Sequence, residues 1–205
     1  MSFLERGHTM SQEIEIEFKS LLTEKDYKKL CATFELSDAN SFTQTNYYFD
    51  TPQGDLKEKR LGLRIRTFDD KAELTLKSPL ENQEGLLETT DYLTHEEAKA
   101  LLNENNILVT GQVAKKLQEF NIDANDVYLI GELKTKRLEY KLDKSHLLVL
   151  DESWYHGKHD YELEMEVKEA VSGKDYFVKF IKEYGITYIP TENKISRTIR
   201  AKKAL

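Results

Sequence analysis

The stretch Glu13–Lys19, EIEIEFK, alternates strictly between charged and large apolar residues. Successive side chains of a β-strand point to opposite faces, so this period of two predicts a strand with one ionised and one apolar face. The apolar face would carry Ile14, Ile16 and Phe18. The ionised face would carry three glutamates and one lysine, and like charges on one face repel each other unless counter-charges lie nearby. The stretch therefore predicts an amphipathic sheet whose acids need cationic partners.

The same alternation recurs in later segments of the chain. Its charged positions include Arg64, Arg66, Glu73, Lys77, Glu162, Glu164 and Glu166. A half-exposed antiparallel sheet with ordinary cross-strand ion pairs would also show this pattern. The segregation of acids on some strands and of arginines on another instead favours an ionised face that binds a charged ligand.

Acid-rich and base-rich strands together have the chemistry of a site for a metal-bound polyphosphate. Carboxylates on neighbouring strands can converge on a hard divalent cation, and Mg²⁺ commonly takes substrate phosphates among its ligands. Arginine and lysine side chains would hold those phosphates, arginine in a bidentate manner. The pattern thus indicates a metal and phosphate site as one explanation of the charged face.

Helix-start signals separate the predicted strands. Thr23 and Thr94 are each followed three residues later by an acid, and Ser172 precedes a run with helical spacing. Strand patterns occupy about residues 42–92 and three segments that begin near residues 127, 146 and 160. We therefore predict an α+β domain with about eight strands in a largely antiparallel sheet. The pattern alone leaves open whether the sheet closes into a barrel.

The composition narrows the class of protein. A chain of 205 residues is long enough for one domain with its own core, and its net charge of −7 argues against binding of a nucleic-acid polymer. It has one cysteine, Cys31, and neither a long apolar run nor a signal peptide, so we expect a cytoplasmic protein without a membrane segment. Residues 1–10 are expected to form a tail, and residues 11–205 a single domain.

An ordered set of motifs resembles the CYTH domain, the family of triphosphate tunnel metalloenzymes. Glu15, Glu17 and Lys19 match the E-x-E-x-K signature near the start of that domain. The matching segments that follow are YFDTP at 48–52, LGLRIR at 61–66, LTLK at 74–77 and EME at 164–166. The resemblance runs from about Ser11 to Arg200. It implies a closed antiparallel β-barrel of about eight strands with flanking helices, in which the ionised face lines a tunnel.

The resemblance also implies roles for individual residues. Glu15, Glu17 and Lys19 are similar to the catalytic residues, and both glutamates belong to the metal and water site. Glu164 and Glu166 resemble the ligands of Mg²⁺ or Mn²⁺, and Asp151 resembles a further acid of this set. Glu88 resembles an acid that balances a neighbouring base. The implied phosphate clamp consists of Lys19, Arg64, Arg66, Lys77, Arg137, Lys194 and Arg197.

Two positions depart from the family pattern. Leu86 and Leu87 stand where a basic residue often precedes the acid at Glu88. Thr135 stands two positions before Arg137, where the family has a lysine, and Lys134 and Lys136 alternate onto the opposite face of the strand. The departures imply a weaker grip on phosphate.

The implied function is metal-dependent hydrolysis of inorganic triphosphate or of a small organic triphosphate, such as thiamine triphosphate or a nucleotide. An adenylate cyclase on the same scaffold is one alternative, although the sequence shows no convincing pocket for a purine base. A non-catalytic module that binds polyphosphate or nucleotide is the other alternative. The expected partner is a small triphosphate-containing substrate, and assembly into a homodimer is left open.

Overall fold

The computed structural model describes residues 10–81 and 83–204, and in this part of the chain it contains nine β-strands and six α-helices. The strands are β1 (Met10–Glu15), β2 (Glu17–Leu22), β3 (Ser41–Asp50), β4 (Gly62–Thr67), β5 (Ala72–Pro79), β6 (Leu86–Leu93), β7 (Tyr128–Lys141), β8 (His146–Tyr155) and β9 (Lys158–Val167). The helices are α1 (Glu24–Thr33), α2 (Asp55–Glu58), α3 (His95–Asn103), α4 (Gln112–Glu119), α5 (Ala170–Glu183) and α6 (Lys194–Lys203). None of these helices has the length and apolar character needed to cross a membrane.

The strands are hydrogen-bonded in the order β1-β6-β5-β4-β3-β7-β8-β9-β2. The α+β class and the antiparallel sheet are confirmed, but the number of strands is nine because the predicted first strand is divided at Ile16. The carbonyl of Ile16 accepts a hydrogen bond from the amide of Val167 at 2.9 Å, where the chain passes from β1 to β2. Strands β1 and β2 are the first and the last in this order. The hydrogen bonds between the described residues therefore do not form a complete ring of strands, and the prediction of a closed barrel is a slight overstatement.

The described residues divide into two compact units. The first unit contains residues 10–13, 47–79 and 87–130, and the second contains residues 14–46, 80–81, 83–86 and 131–204. A single domain over residues 11–205 therefore stays a prediction. Of the predicted tail, residues 1–9 lie outside the described residues, whereas Met10 begins β1.

The core of the first unit lies between the apolar faces of β4 and β5 and helices α3 and α4. Its fully buried side chains include Leu63, Ile65, Leu74, Leu76, Val113 and Leu117. The predicted cap at Thr94 is confirmed: its hydroxyl accepts from the amide of Glu97, whose carboxylate accepts from the amide of Thr94. The α4 amides of Gln112 and Val113 instead donate to the buried carboxylate of Asp91 on β6, at 3.0 and 2.9 Å.

The core of the second unit lies between the sheet and helices α1 and α5. It includes Leu30, Leu148, Leu150, Leu163, Met165, Phe177 and Phe180. The predicted cap at Thr23 is confirmed, since its hydroxyl accepts from the amide of Asp26 at 3.1 Å. The predicted cap at Ser172 is wrong, because α5 begins at Ala170. Its cap is Glu169, whose longer side chain accepts from the amides of Val171 and Ser172.

Candidate active site

The ionised face of the second unit is built by β2, β9, β8 and β7. Antiparallel register aligns Lys19 of β2 with Glu164 of β9. On the same face, Glu162 of β9 aligns with Asp151 of β8, which aligns in turn with Arg137 of β7. Register therefore brings together charged side chains that are far apart in the sequence.

Arg137 joins three of these strands through its guanidinium group. Its Nε and Nη2 donate to the two carboxylate oxygens of Asp151 at 2.8 and 2.7 Å, and Nη2 also donates to Glu164 Oε2 at 2.7 Å. Burial disfavours the charge on Arg137, but the carboxylates of Asp151 and Glu164 outweigh it and raise the guanidinium pKa well above its usual value. Arg137 and Asp151 thus form a bidentate ion pair inside the unit.

Lys194, the first residue of α6, places its ammonium group among three buried carboxylates. Its Nζ lies 2.5 Å from Glu164 Oε1 and 2.9 Å from Asp151 Oδ2, and it also contacts Glu162. We call Asp151, Glu162 and Glu164 the acid triad, since one oxygen of each lies within 4.8 Å of the others. Carboxylate oxygens at such spacing are suited to a hard divalent cation, and here they surround an ammonium group.

The charges of the acid triad respond differently to their surroundings. Burial would raise the pKa of Glu164, but Lys194 and Arg137 hold it well below its usual value. Burial raises the pKa of Glu162 even though Lys194 and Arg197 oppose the shift. The ammonium pKa of Lys194 lies well above its usual value, because Asp151 and its neighbours outweigh the effect of burial. Attraction to the triad therefore keeps Lys194 charged.

Arg197 extends the network by one turn of α6. Its Nη1 lies 2.5 Å from Glu162 Oε2 and also donates to Thr191. Its Nε lies 3.5 Å from Asp160 Oδ2, which accepts a hydrogen bond from the Tyr155 hydroxyl. The residue is 3% exposed, yet Nε and Nη2 make no hydrogen bond with any described residue. These two groups form the edge of the guanidinium that binds carboxylates or phosphates in a bidentate manner.

A further group of acids lies at the end of this face near the start of β2. Lys19 Nζ contacts Glu17 Oε1 at 2.6 Å, and Glu17 aligns with Glu166 across β2 and β9. Burial raises the pKa of Glu166 to about 7, and the nearby Glu15 adds to the shift although Arg137 opposes it. An added cation would relieve this accumulation of negative charge.

The first unit carries an ionised face on β4, β5 and β6. Lys77 Nζ lies 2.6 Å from Glu88 Oε1, and Arg66 Nη1 lies 3.4 Å from Glu73 Oε1. Arg64 Nη2 is 4.0 Å from both glutamates, and its buried Nε has no hydrogen-bond partner among the described residues. Burial opposes the charge on Glu88, but Lys77 and Arg64 lower its pKa to about 2. These contacts thus join three bases to two acids on these strands.

The predicted site residues therefore fall into two groups. Glu15, Glu17, Lys19, Arg137, Asp151, Glu164, Glu166, Lys194 and Arg197 belong to the second unit, and Arg64, Arg66, Lys77 and Glu88 belong to the first. Their assigned roles stay predictions. Sequence reasoning placed Glu162 on the ionised face without giving it a role, although its spacing from Glu164 was a usable signal. Asp160, Tyr155 and Thr191 had no such signal, since only the fold brings them to Arg197.

The departure at Thr135 has a structural counterpart. The Thr135 hydroxyl is buried on the ionised face, where it hydrogen-bonds the hydroxyl of Ser153 at 3.1 Å. Lys136 projects from the opposite face and contacts Asp38 at 2.5 Å and Glu152 at 3.7 Å. A pair of neutral hydroxyls thus occupies a position where a lysine would add positive charge.

Comparison with known proteins places this arrangement in a family. The chain is 38% identical, over 95% of its length and 98% of the relative's, to YjbK of Bacillus subtilis strain 168, which is provisionally named a triphosphatase. A Bacillus halodurans structure provisionally named an adenylate cyclase is 35% identical, with a TM-score of 0.85 over 91% of this chain and 97% of the other. The Hippeastrum protein HpAC1, provisionally an adenylyl cyclase with a dominant triphosphatase activity, is 26% identical, with a TM-score of 0.75 over 94% and 97%. The CYTH domain model matches residues 13–199, and the chain therefore belongs to the CYTH domain family.

Proposed function

We propose that this protein is a divalent-metal-dependent hydrolase of inorganic triphosphate or of a small organic triphosphate. The observation that carries the proposal is the buried network in which Lys194 lies among the three carboxylates of the acid triad. Such a network offers carboxylate oxygens to a metal and cationic groups to phosphates. The triphosphatase name of YjbK and the dominant activity of HpAC1 support the same reaction.

The donor set suits Mg²⁺ or Mn²⁺. Both ions prefer carboxylate oxygens, and the ionised face of the second unit presents several such groups close together. Glu164 and Glu166 would hold the metal, and Asp151, Glu15 and Glu17 would complete the acidic surroundings. A bound divalent ion would neutralise charge on the phosphate oxygens and polarise the phosphoryl group.

The bases of this chain would bind the phosphates. In the second unit Lys19, Arg137 and Lys194 are the proposed partners, and Arg197 adds Nε and Nη2, which make no hydrogen bond with a described residue. In the first unit Arg64, Arg66 and Lys77 are the proposed partners, and Arg64 keeps a buried donor available. Guanidinium groups suit this task because they bind two phosphate oxygens at once.

The reaction needs positioning and charge stabilisation more than covalent catalysis. The oxygen of a water molecule would attack the terminal phosphorus in line with the bond to the bridging oxygen. That bond would break with its electron pair left on the departing diphosphate group, which the bases would stabilise. Glu15 or Glu17 would orient the water and accept its proton.

Product release from a panel of substrates tests the proposal. Tripolyphosphate, thiamine triphosphate and ATP are each incubated with Mg²⁺ or Mn²⁺, and phosphate, diphosphate and cyclic AMP are quantified. We expect metal-dependent release of phosphate from at least one triphosphate. Turnover should fall on the order of 10²-fold in Glu166→Gln and stay unchanged in Lys136→Met, whose lysine lies on the opposite face.

Two outcomes would contradict the proposal. Cyclic AMP and diphosphate from ATP, without phosphate release from tripolyphosphate, would support the cyclase alternative, which the provisional name of the Bacillus halodurans relative represents. Binding of tripolyphosphate without turnover under any metal condition would support the non-catalytic alternative.

A further inference from the structure

We infer that the acid triad binds a divalent metal weakly until an anionic ligand takes over Lys194, so that metal and triphosphate bind the second unit as a coupled pair. The inference rests on the proposed function and adds to it a coupling between metal and phosphate. Lys194 is the internal counter-cation of the triad until a ligand replaces it. It follows from the contacts of six buried or nearly buried groups.

The first step is the balance of charge around the triad. Three carboxylates meet three cationic groups within direct contact distance. The acids are Asp151, Glu162 and Glu164, and the bases are Arg137, Lys194 and Arg197. Five of these six residues are buried, and the side chain of the sixth, Lys194, is 14% exposed. Each carboxylate of the triad thus has a cationic partner without any ligand, and Arg197 also lies 3.5 Å from Asp160, outside the triad.

The second step is the cost of adding one ligand alone. A metal that bound the triad would displace the ammonium of Lys194 and leave this cation without a partner. A triphosphate that drew Lys194 and Arg137 to itself would leave Asp151 and Glu164 as uncompensated carboxylates. An uncompensated charge in a protein interior is strongly unfavourable, so each ligand alone is opposed.

The third step is that both ligands together restore the balance. The metal replaces Lys194 among the carboxylates, and the phosphates replace the carboxylates around Lys194. Each ligand thus raises the affinity of the other, and linkage requires the two effects to be equal. The metal site proposed above shares Glu164 with the triad, so a metal there also competes with Lys194. An alternative is that the metal binds Glu166 and Glu17 without Glu164, in which case Lys194 would have no influence on it.

The decisive variant is Lys194→Met, which removes the internal cation. Mn²⁺ serves as the probe, with binding followed by the electron paramagnetic resonance signal of the free ion in the absence of any phosphate. We expect Lys194→Met to bind Mn²⁺ at least about tenfold more tightly than the wild type, and Mn²⁺ to raise its melting temperature more. Unchanged Mn²⁺ affinity would overturn the inference.

Two control variants isolate the cause. Lys136→Met also removes a lysine that contacts two carboxylates, but on the opposite face, and should leave Mn²⁺ affinity unchanged. Lys194→Met combined with Glu162→Gln restores equal numbers of acids and bases among the named groups and should lose the gain in affinity. A gain that persists in this double variant would contradict the charge-balance argument. Should Lys194→Met fail to fold, Lys194→Gln takes its place.

The wild-type protein gives a second, independent arm. Mn²⁺ affinity is measured with and without imidotriphosphate, an analogue whose P–N–P bridges resist hydrolysis, and the reciprocal titration is made. We expect each ligand to tighten the other at least about tenfold, by the same factor. If the protein hydrolyses triphosphate but has the same Mn²⁺ affinity with and without the analogue, the inferred coupling is wrong and the proposed function stands. If the protein has no turnover but Lys194→Met still binds Mn²⁺ more tightly, the proposed function is wrong and the role of Lys194 as counter-cation stands.

Discussion

At the scale of single residues, partners decide what each charge can do. Asp151 is fully buried and is held by both Arg137 and Lys194, so it is a carboxylate whose charge is already matched. Glu166 has the opposite character, because burial and like charges raise its pKa to about 7. Two acids that look equivalent in the sequence therefore differ in how strongly an added cation would stabilise their charge.

Glu88 gives a prediction about pH. Its pKa in the folded protein is about 2, well below the usual value, because Lys77 and Arg64 outweigh the effect of burial. A lowered pKa means that the ionised form stabilises the fold. This contribution is fully present above about pH 4.5 and is lost as pH falls towards about 2.

The measurement is urea unfolding of the wild type and of Glu88→Gln from pH 7 to pH 2.5. The Glu88 side chain is 22% exposed, so after allowance for solvent screening we expect the variant to be less stable by about 2 kcal/mol at pH 7. The difference should shrink below about pH 4.5, because the Glu88 carboxyl takes up a proton in the unfolded chain while it stays ionised in the folded protein. A difference that stays constant across this pH range would show that Glu88 does not supply this contribution.

At the scale of strands and helices, periodicity predicted which face of each strand is apolar, but not where a strand is interrupted. The alternation of Glu13–Lys19 continues through Ile16, so a pattern of side chains cannot reveal that the backbone changes its hydrogen-bonding partner there. Caps formed within one turn, such as Thr94 with Glu97, were predictable because both residues are close in sequence. The cap on α4 was not, since Asp91 lies on a strand twenty-one residues before Gln112.

Asp91 therefore offers a test at the level of a helix. Its buried carboxylate accepts from two α4 amides, and a side chain at Gly111 would clash with it. We expect Asp91→Ala to lower the free energy of unfolding by about 2 kcal/mol, because the buried amide of Val113 and the part-buried amide of Gln112 lose their acceptor. Thr94→Ala, which removes the exposed cap of α3, should cost only about 1 kcal/mol. Urea unfolding of both variants checks the order, and a larger loss in Thr94→Ala would contradict it.

At the scale of the whole chain, the ordered motifs from Glu15 to Glu166 were enough to predict the family, because each motif fixes residue types at strand spacing. The neutralisation of the acid triad was beyond sequence reasoning. It depends on the register that aligns Asp151 with Glu162 and on a helix that begins at Lys194, thirty residues after Glu164. Resemblance thus supplied the candidate residues, and only the fold showed which of them already have partners.

The last prediction concerns Arg66, a base of the first unit whose role comes from family resemblance. If it stabilises phosphate charge during hydrolysis, Arg66→Ala should lower kcat/KM for the preferred triphosphate on the order of 10²–10³-fold. Arg66 also contacts Glu73 at 3.4 Å, so its removal is expected to change the stability of the fold as well. Thermal unfolding separates the two effects, and Lys59→Ala, which removes an exposed lysine at the end of α2, serves as the matched control. Full activity in Arg66→Ala would remove this arginine from the phosphate clamp, whereas an equal loss in Lys59→Ala would show that general positive charge, not position, is what the reaction needs.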